Sequence, residues 1–206
     1  DYSDNQAVRH LQWLGSFRED ELEALLSSRA GAQARGITEE LAAQWHAECP
    51  SLVGLNALSH LYMRTYLMDQ VLVKVDRASM AHGLEVRAPF LSHDLVEFLL
   101  TLPPRFKYRG GRGKHLLRTL MRGRLPNKIL DRSKQGFAAP TARWLRHDLK
   151  ALVTDVLAAA NVEKSGLFNS AEVTRLLEEH LSGKRNHGKK LWTLLVFQLW
   201  YDRWMR

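Results

Sequence analysis

The chain has 206 residues, 45% of them hydrophobic and 25% charged, with a formal net charge of +8, a balance that excludes wholesale disorder. The single cysteine, Cys49, excludes an internal disulfide or a thiolate metal site and fits a reducing, cytoplasmic compartment. No apolar run reaches the ~18 residues of a spanning helix, and no basic-then-apolar leader opens the chain; its start on Asp1 suggests part of something longer.

In chain order, Ser16 and Glu19 have capping-box spacing ahead of Leu22, Leu25 and Leu26 on one helical face. Thr38 precedes Glu39, Glu40 and Leu41, a second start with acids in its first turn. From Pro50, apolar residues recur at helical spacing (Leu55, Leu58, Tyr62, Tyr66, Leu72, Val75) until Gly83 stops them. Residues 84–91 read as extended, because Pro89 keeps its predecessor out of the helical region. Ser92 can cap a helix carrying Leu95, Val96, Phe98 and Leu99, which Pro103 and Pro104 end. Arg109-Gly-Gly-Arg-Gly113 predicts a flexible loop, followed by a short helix from Lys114 to Gly123 and one helical turn to Leu130. Ser133 to Pro140 predicts a loop around Gly136. Helices follow over 141–159, 170–182 and 188–205, the last apolar nearly all round and so expected to be buried. Without βαβ alternation or internal repeats, the expectation is a mainly α chain forming a single helical region over 1–206.

Charge is concentrated. Segment 105–150 carries fourteen Lys or Arg against Asp131 and Asp148, net +12 in a chain of +8, so the remainder is acidic. Such a stripe is either a footprint for an anion or a solvated face. It lacks the interleaved aromatics and finger patterns of nucleic-acid readers, which favours polyphosphate. Gly110 to Lys114 is not a phosphate-binding loop of the Walker type, because Tyr108 and His115 stand where a glycine and a hydroxyl are needed. No histidine pair has zinc spacing, no nucleophile elbow occurs, and Cys49 has no basic neighbour to activate it. Two clusters remain. Lys74, Asp76 and Arg77 with Glu85 and Arg87 crowd an apolar helix end and turn, where buried charges need partners. They read either as a brace or as an anion site. Arg132 and Lys134 lie in a glycine-containing loop from which an ammonium can reach a phosphate.

These runs, Val73-Lys-Val-Asp-Arg-Ala-Ser-Met-Ala81, Glu85-Val-Arg-Ala-Pro-Phe-Leu91, Gly113-Lys114 with Leu117-Arg118, and Leu130-Asp-Arg-x-Lys134-x-Gly-Phe137, resemble the synthetase domain of glutamine-hydrolysing asparagine synthetases. The late Arg185-Asn-His-Gly188, Leu191-Trp192 and Leu199-Trp200 fit as well. The resemblance runs from about Asn56 to the end, and its motifs are specific as an ordered set.

The resemblance implies the helical C-terminal portion of an adenine-nucleotide α-hydrolase-like (ATP pyrophosphatase) α/β domain. It implies ATP and Mg2+ as cofactors, adenylation of the aspartate side chain or a related carboxylate, and attack by ammonia from a glutaminase domain of the full-length chain. Ser-Gly-Gly-x-Asp-Ser, the family's pyrophosphate loop, and its acidic Ser-Gly-(Glu/Asp)-Gly-x-Asp-Glu segment do not occur in these 206 residues. The metal ligands are therefore expected elsewhere, and the isolated piece is expected to be inactive. Lys134 matches the family lysine assigned to the phosphates, and is the catalytic candidate. Arg87 and Lys114 are candidates for substrate or ATP-phosphate contacts, with Lys74, Asp76, Arg77 and Glu85 as a supporting network. A homodimer is allowed for, and no membrane partner is expected. A related amide- or lactam-forming enzyme, a scaffold that has lost its chemistry, and a basic helical module binding nucleic acid are the alternatives.

Overall fold

The helical pattern of the sequence is realised in short segments. The computed structural model describes residues 5–133, 136 and 139–205, which are mainly helical. The chain divides into two compact units, one joining residues 1–42 to 137–206, the other formed by 43–136.

In the first unit, α1 (Gln6–Leu14) starts at Asn5, whose side chain accepts from the Ala7 and Val8 amides. The expected Ser16 cap is corrected: α2 (Glu19–Leu25) starts after Arg18, whose amide donates to Glu21, while Ser16 shares a 2.6 Å hydrogen bond with Thr193. α3 (Ser28–Ala34) is capped by Ser27, and α4 (Ile37–Glu48) keeps Glu39 and Glu40 in its first turn, as expected.

The second unit takes in the end of α4 from Ala43; its long helix then starts as α5 (Gly54–Tyr62), continues through a π-wound stretch (Met63–Leu72) and ends as α6 (Val73–Met80). The periodic stretch is thus one continuous helix, entered four residues after Pro50. Its middle turn is widened, which an apolar pattern at ordinary helical spacing does not reveal. Thr65 Oγ1 donates to the Leu61 carbonyl at 2.8 Å, so a side chain occupies an acceptor of the ladder there. Gly83, at φ +66°, closes the end of α6: its amide donates to Met80 and that of Leu84 to Ser79. This is the left-handed cap that glycine makes cheaply. A 3₁₀ turn (Pro89–Leu91) leads to α7 (His93–Thr101), then α8 (Pro104–Lys107), β1 (Tyr108–Arg109), β2 (Arg112–Gly113), α9 (His115–Met121) and α10 (Asn127–Leu130).

Back in the first unit, the helix expected over 141–159 is broken into α11 (Thr141–Arg146), α12 (Lys150–Val156) and α13 (Ala159–Glu163). His147, at φ −124° and ψ −84°, leaves the helical region and makes the first break. α14 (Ser170–Leu181) and α15 (Gly188–Trp204) match expectation to within a residue. Val173, Leu176, Leu177 and His180 form the buried stripe of α14, and Leu191, Leu194, Leu195 and Gln198 that of α15. Both follow the i, i+3, i+4, i+7 rule. Their apolar members, with Leu25, Leu145, Val153, Val156, Leu157 and Val162, make one core, each such side chain contributing roughly 1.5–3 kcal/mol on burial. α15 is not buried all round, however: Val196, Leu199, Trp200 and Trp204 stand exposed.

Candidate functional site

The Gly110-Gly111 pair, expected in a flexible loop, instead turns a tight hairpin. Both glycines have positive φ (+57° and +75°), and Tyr108 pairs with Gly113, Arg109 with Arg112. Two consecutive left-handed residues are what a two-residue hairpin turn with the twist of paired strands requires. The next residue, Lys114, also takes a left-handed conformation, at φ +58° and ψ +35°, and is the non-glycine with positive φ among the described residues. That conformation costs roughly 1–2 kcal/mol for an L-residue, and such strain gathers where backbone must present a group to a ligand.

The hairpin is held from two directions. Arg118 Nε donates to the Gly113 carbonyl at 3.1 Å. Arg112 Nη1 donates to Asp131 Oδ1 at 3.0 Å, tying the strand that leads into Lys114 to the residue three positions before Lys134. Lys134 itself, with Gln135, Phe137 and Ala138, lies outside the described residues. Around the hairpin, Arg109, Lys114, Arg122, Arg124, Lys128 and Arg132 are exposed, so the basic stripe is a surface feature.

Lys74, Asp76 and Arg77 lie on α6, with Glu85 and Arg87 in the extended segment after its cap. The burial expected of this cluster is corrected. All five side chains are exposed, because the apolar residues around them, Val73, Val75, Met80, Leu84 and Val86, are themselves uncovered within the described residues. Glu85 and Arg87 form an ion pair; Lys74, Asp76 and Arg77 make none among the described residues. No hydrogen bond or ion pair among the described residues joins this cluster to the hairpin.

Two relationships escaped the sequence reading. Asp131 passed there as one acid among cations. Lys107 Nζ donates to Asn56 Oδ1 at 2.5 Å, and the Asn56 amide nitrogen donates to the carbonyls of Leu100 and Leu102 at 2.9 and 3.2 Å. Desolvation holds the Lys107 ammonium below the usual lysine range. An asparagine at the start of an otherwise apolar helix was the available signal for this clasp.

The first unit contains a cleft of about 780 Å³ whose lining includes Leu11, Phe17, Leu22, Leu26, Leu41 and Thr193; none of the site residues expected from the sequence lines it. No group of three or more His, Cys, Asp or Glu side chains among the described residues could hold a metal ion, so these residues do not by themselves fit a magnesium site. Among the described residues no helix is long and apolar enough to cross a membrane.

Comparison with known proteins agrees with the family resemblance. An asparagine synthetase (glutamine-hydrolysing) of Bacillus subtilis (strain 168) is 28% identical over 158 residues, covering 77% of this chain and 25% of its own. A Mycobacterium tuberculosis (strain ATCC 25618 / H37Rv) protein, provisionally named a glutamine-hydrolysing asparagine synthetase, is 32% identical over 184 residues, covering 84% and 28%. A protein of Gibberella zeae named amidase chry2 is 25% identical over 140 residues, covering 65% and 20%. The chain thus spans about a quarter of the length of these relatives. No solved structure matches it. The model of the asparagine synthase family matches residues 3–202, nearly the whole chain, and the chain belongs to that family.

Proposed function

We propose that these residues are the helical C-terminal part of an adenine-nucleotide α-hydrolase-like synthetase domain in an ATP-dependent, amide-forming ligase. The observation that carries this reading is the Arg112–Asp131 pair, which ties the strained Lys114 to the segment bearing Lys134 within a basic surface. Family membership supplies the reaction class.

In the proposed reaction, a carboxylate oxygen of aspartate attacks the α-phosphorus of ATP. The bond to the bridging oxygen of the β-phosphate breaks, and pyrophosphate leaves with the electron pair. Ammonia, supplied by a glutaminase domain of the full-length protein, then attacks the acyl carbon; AMP departs, and the nitrogen loses a proton to give the amide. The transition states gather negative charge on the α-phosphate and on the leaving pyrophosphate, so fixed cations assist without covalent chemistry. Lys134 is assigned to that charge as the catalytic residue. Lys114 and Arg87 are assigned to phosphate contacts, and Glu85 to the orientation of Arg87, with which it pairs. Lys74, Asp76 and Arg77 complete the proposed support. Magnesium, when bound, would neutralise phosphate charge; its ligands are assigned to other parts of the enzyme. The cytoplasm is the proposed compartment, and a homodimer the proposed assembly.

The test is Lys134→Ala in the full-length protein. Aspartate-dependent ATP–pyrophosphate exchange should fall by about a hundredfold while glutamine hydrolysis persists. Unchanged exchange rejects the assignment. Exchange with another carboxylate, absent with aspartate, would select a sibling amide- or lactam-forming activity. Salt-dependent binding of DNA or RNA, indifferent to Lys134→Ala and without exchange, would instead assign the basic surface to nucleic acid.

A further inference from the structure

The second unit, residues 43–136, buries little of its own apolar surface. Among its described residues two hydrophobic side chains are buried, Leu61 and Leu130. Towards the C-terminal end of its long helix, Met68, Leu72, Val73, Val75 and Met80 are each more than a third exposed. Apolar surface gathered in this way marks a place where something else packs.

The distribution of these side chains around α6 says what kind of cover it needs. Each residue of an α-helix advances about 100° around the axis. Val73 and Val75 therefore face nearly opposite sides of α6. Met80, seven residues after Val73, repeats the first side, and Leu72, three before Val75, lies towards the second. A helix that is apolar on opposite sides belongs inside a protein. One docked helix, or the single patch of a two-fold contact with a second copy, covers one side and leaves the other in water. Lys74, Asp76 and Arg77 lie between these apolar residues without an ion pair among the described residues, so the cover must also bring partners of opposite charge as it takes them from water. What fits is an enclosing body of polypeptide, apolar with interspersed charges. The relatives supply its scale: this chain covers 25% of the Bacillus subtilis protein and 28% of the Mycobacterium tuberculosis protein, so most of such a chain is further polypeptide.

We propose that α6 is an interior helix of the full-length enzyme, enclosed on both its Val73 and its Val75 side by the part of the synthetase domain that lies outside these 206 residues. The inference rests on the reading of the chain as part of that larger domain; it needs neither Lys134 nor the reaction itself. Two measurements on the full-length protein test the two sides. For the Val73 side, methionine is replaced by photo-methionine in two isotopically distinct preparations, which are mixed and irradiated. Met80 should then capture peptides from outside the 206 residues, within a single chain. For the Val75 side, Val75→Cys is treated with a maleimide and labelling is read by mass spectrometry at that residue. It should be at least about a hundredfold slower in the native protein than in urea. If Val75→Cys does not fold, amide hydrogen exchange of the unaltered protein serves, and the α6 amides should exchange as slowly as the most protected helices. Cross-links from Met80 confined to the 206 residues, cross-links between the two isotopic forms, or no cross-link at all overturns the inference. So does labelling as fast as in urea, or α6 amides that exchange by local fraying. ATP–pyrophosphate exchange on the same unaltered protein keeps the two readings apart. An enclosed α6 without exchange for any carboxylate strikes the ligase reading and leaves the enclosure, whereas exchange with an open α6 does the reverse.

Discussion

Arg112 and Asp131, nineteen residues apart, meet at 3.0 Å and join the hairpin to the approach to Lys134. Both side chains are substantially exposed, so the pair contributes at most about 1 kcal/mol to stability. Its value lies in position. Asp131→Asn should leave the unfolding midpoint nearly unchanged while lowering ATP–pyrophosphate exchange several-fold, and exchanging the two residues (Arg112→Asp with Asp131→Arg) should restore part of the rate. A midpoint that falls with the activity retained would make the pair a stabilising contact alone.

The clasp around Asn56 behaves oppositely. Asn56 satisfies two main-chain carbonyls and a partly buried lysine, so Asn56→Ala leaves several groups short of partners at once. The expected cost is about 2 kcal/mol, read as a lower urea midpoint. Lys107→Met, which removes the charge together with its need for a partner, should cost less than Asn56→Ala. Equal losses would mean that the lysine, rather than the two carbonyls, dominates.

At the hairpin, nothing stands within 4 Å of a Cβ built on Gly110 or Gly111, so substitution there is limited by backbone conformation and not by space. Gly111→Ala should cost roughly 1 kcal/mol, and Gly111→Asn less, because asparagine accepts a left-handed backbone more readily. Equal effects of alanine and asparagine in urea denaturation would show that the turn adopts another conformation in solution.

Much of this was legible in the sequence, for particular reasons. The stripes on α14 and α15 obey a simple period, so those helices and their buried faces follow from spacing alone, whereas the exposed aromatics of α15 looked equally apolar. The hairpin was missed because its strands are two residues each, too short to show alternation, although Gly-Gly between polar residues is a turn signal in its own right. The break at His147 carries neither proline nor glycine and is set by how α11 and α12 pack. The π-wound stretch is hidden for the same reason: its side chains are ordinary, and only its backbone is not. Of the site, the motifs gave the candidate residues, but not the pairing of Arg112 with Asp131, a relation across sequence that a linear pattern does not encode. The charge cluster at 74–87 was expected to be buried because its neighbours are apolar; those neighbours prove exposed with it.

That exposure makes Arg87 a clean test. Its side chain is 88% accessible and pairs with Glu85 alone among the described residues, so Arg87→Ala should not move the unfolding midpoint measurably. If Arg87 contacts phosphate, the same change should raise KM for ATP about tenfold, in line with loss of a charge-assisted hydrogen bond. A falling midpoint with KM unchanged would assign Arg87 to a brace instead.

The buried His180 predicts a pH dependence of stability with a definite sign. Burial, then the charge of Arg146, pushes the ring below its ordinary value of 6.5, partly offset by the hydrogen bond to Ala142; His187 adds to the lowering. Above pH 6.5 the ring is neutral whether the chain is folded or not, and the full stability is present. As pH falls through 6.5 the unfolded chain takes up a proton that the folded chain refuses, so stability declines, levelling off only where the folded ring protonates as well. One such group can contribute a slope of at most about 1.4 kcal/mol per pH unit. Urea midpoints measured between pH 8 and pH 5 should therefore fall, and His180→Leu, although less stable throughout, should show a shallower decline. Identical slopes in the two proteins would place the dependence on groups other than His180.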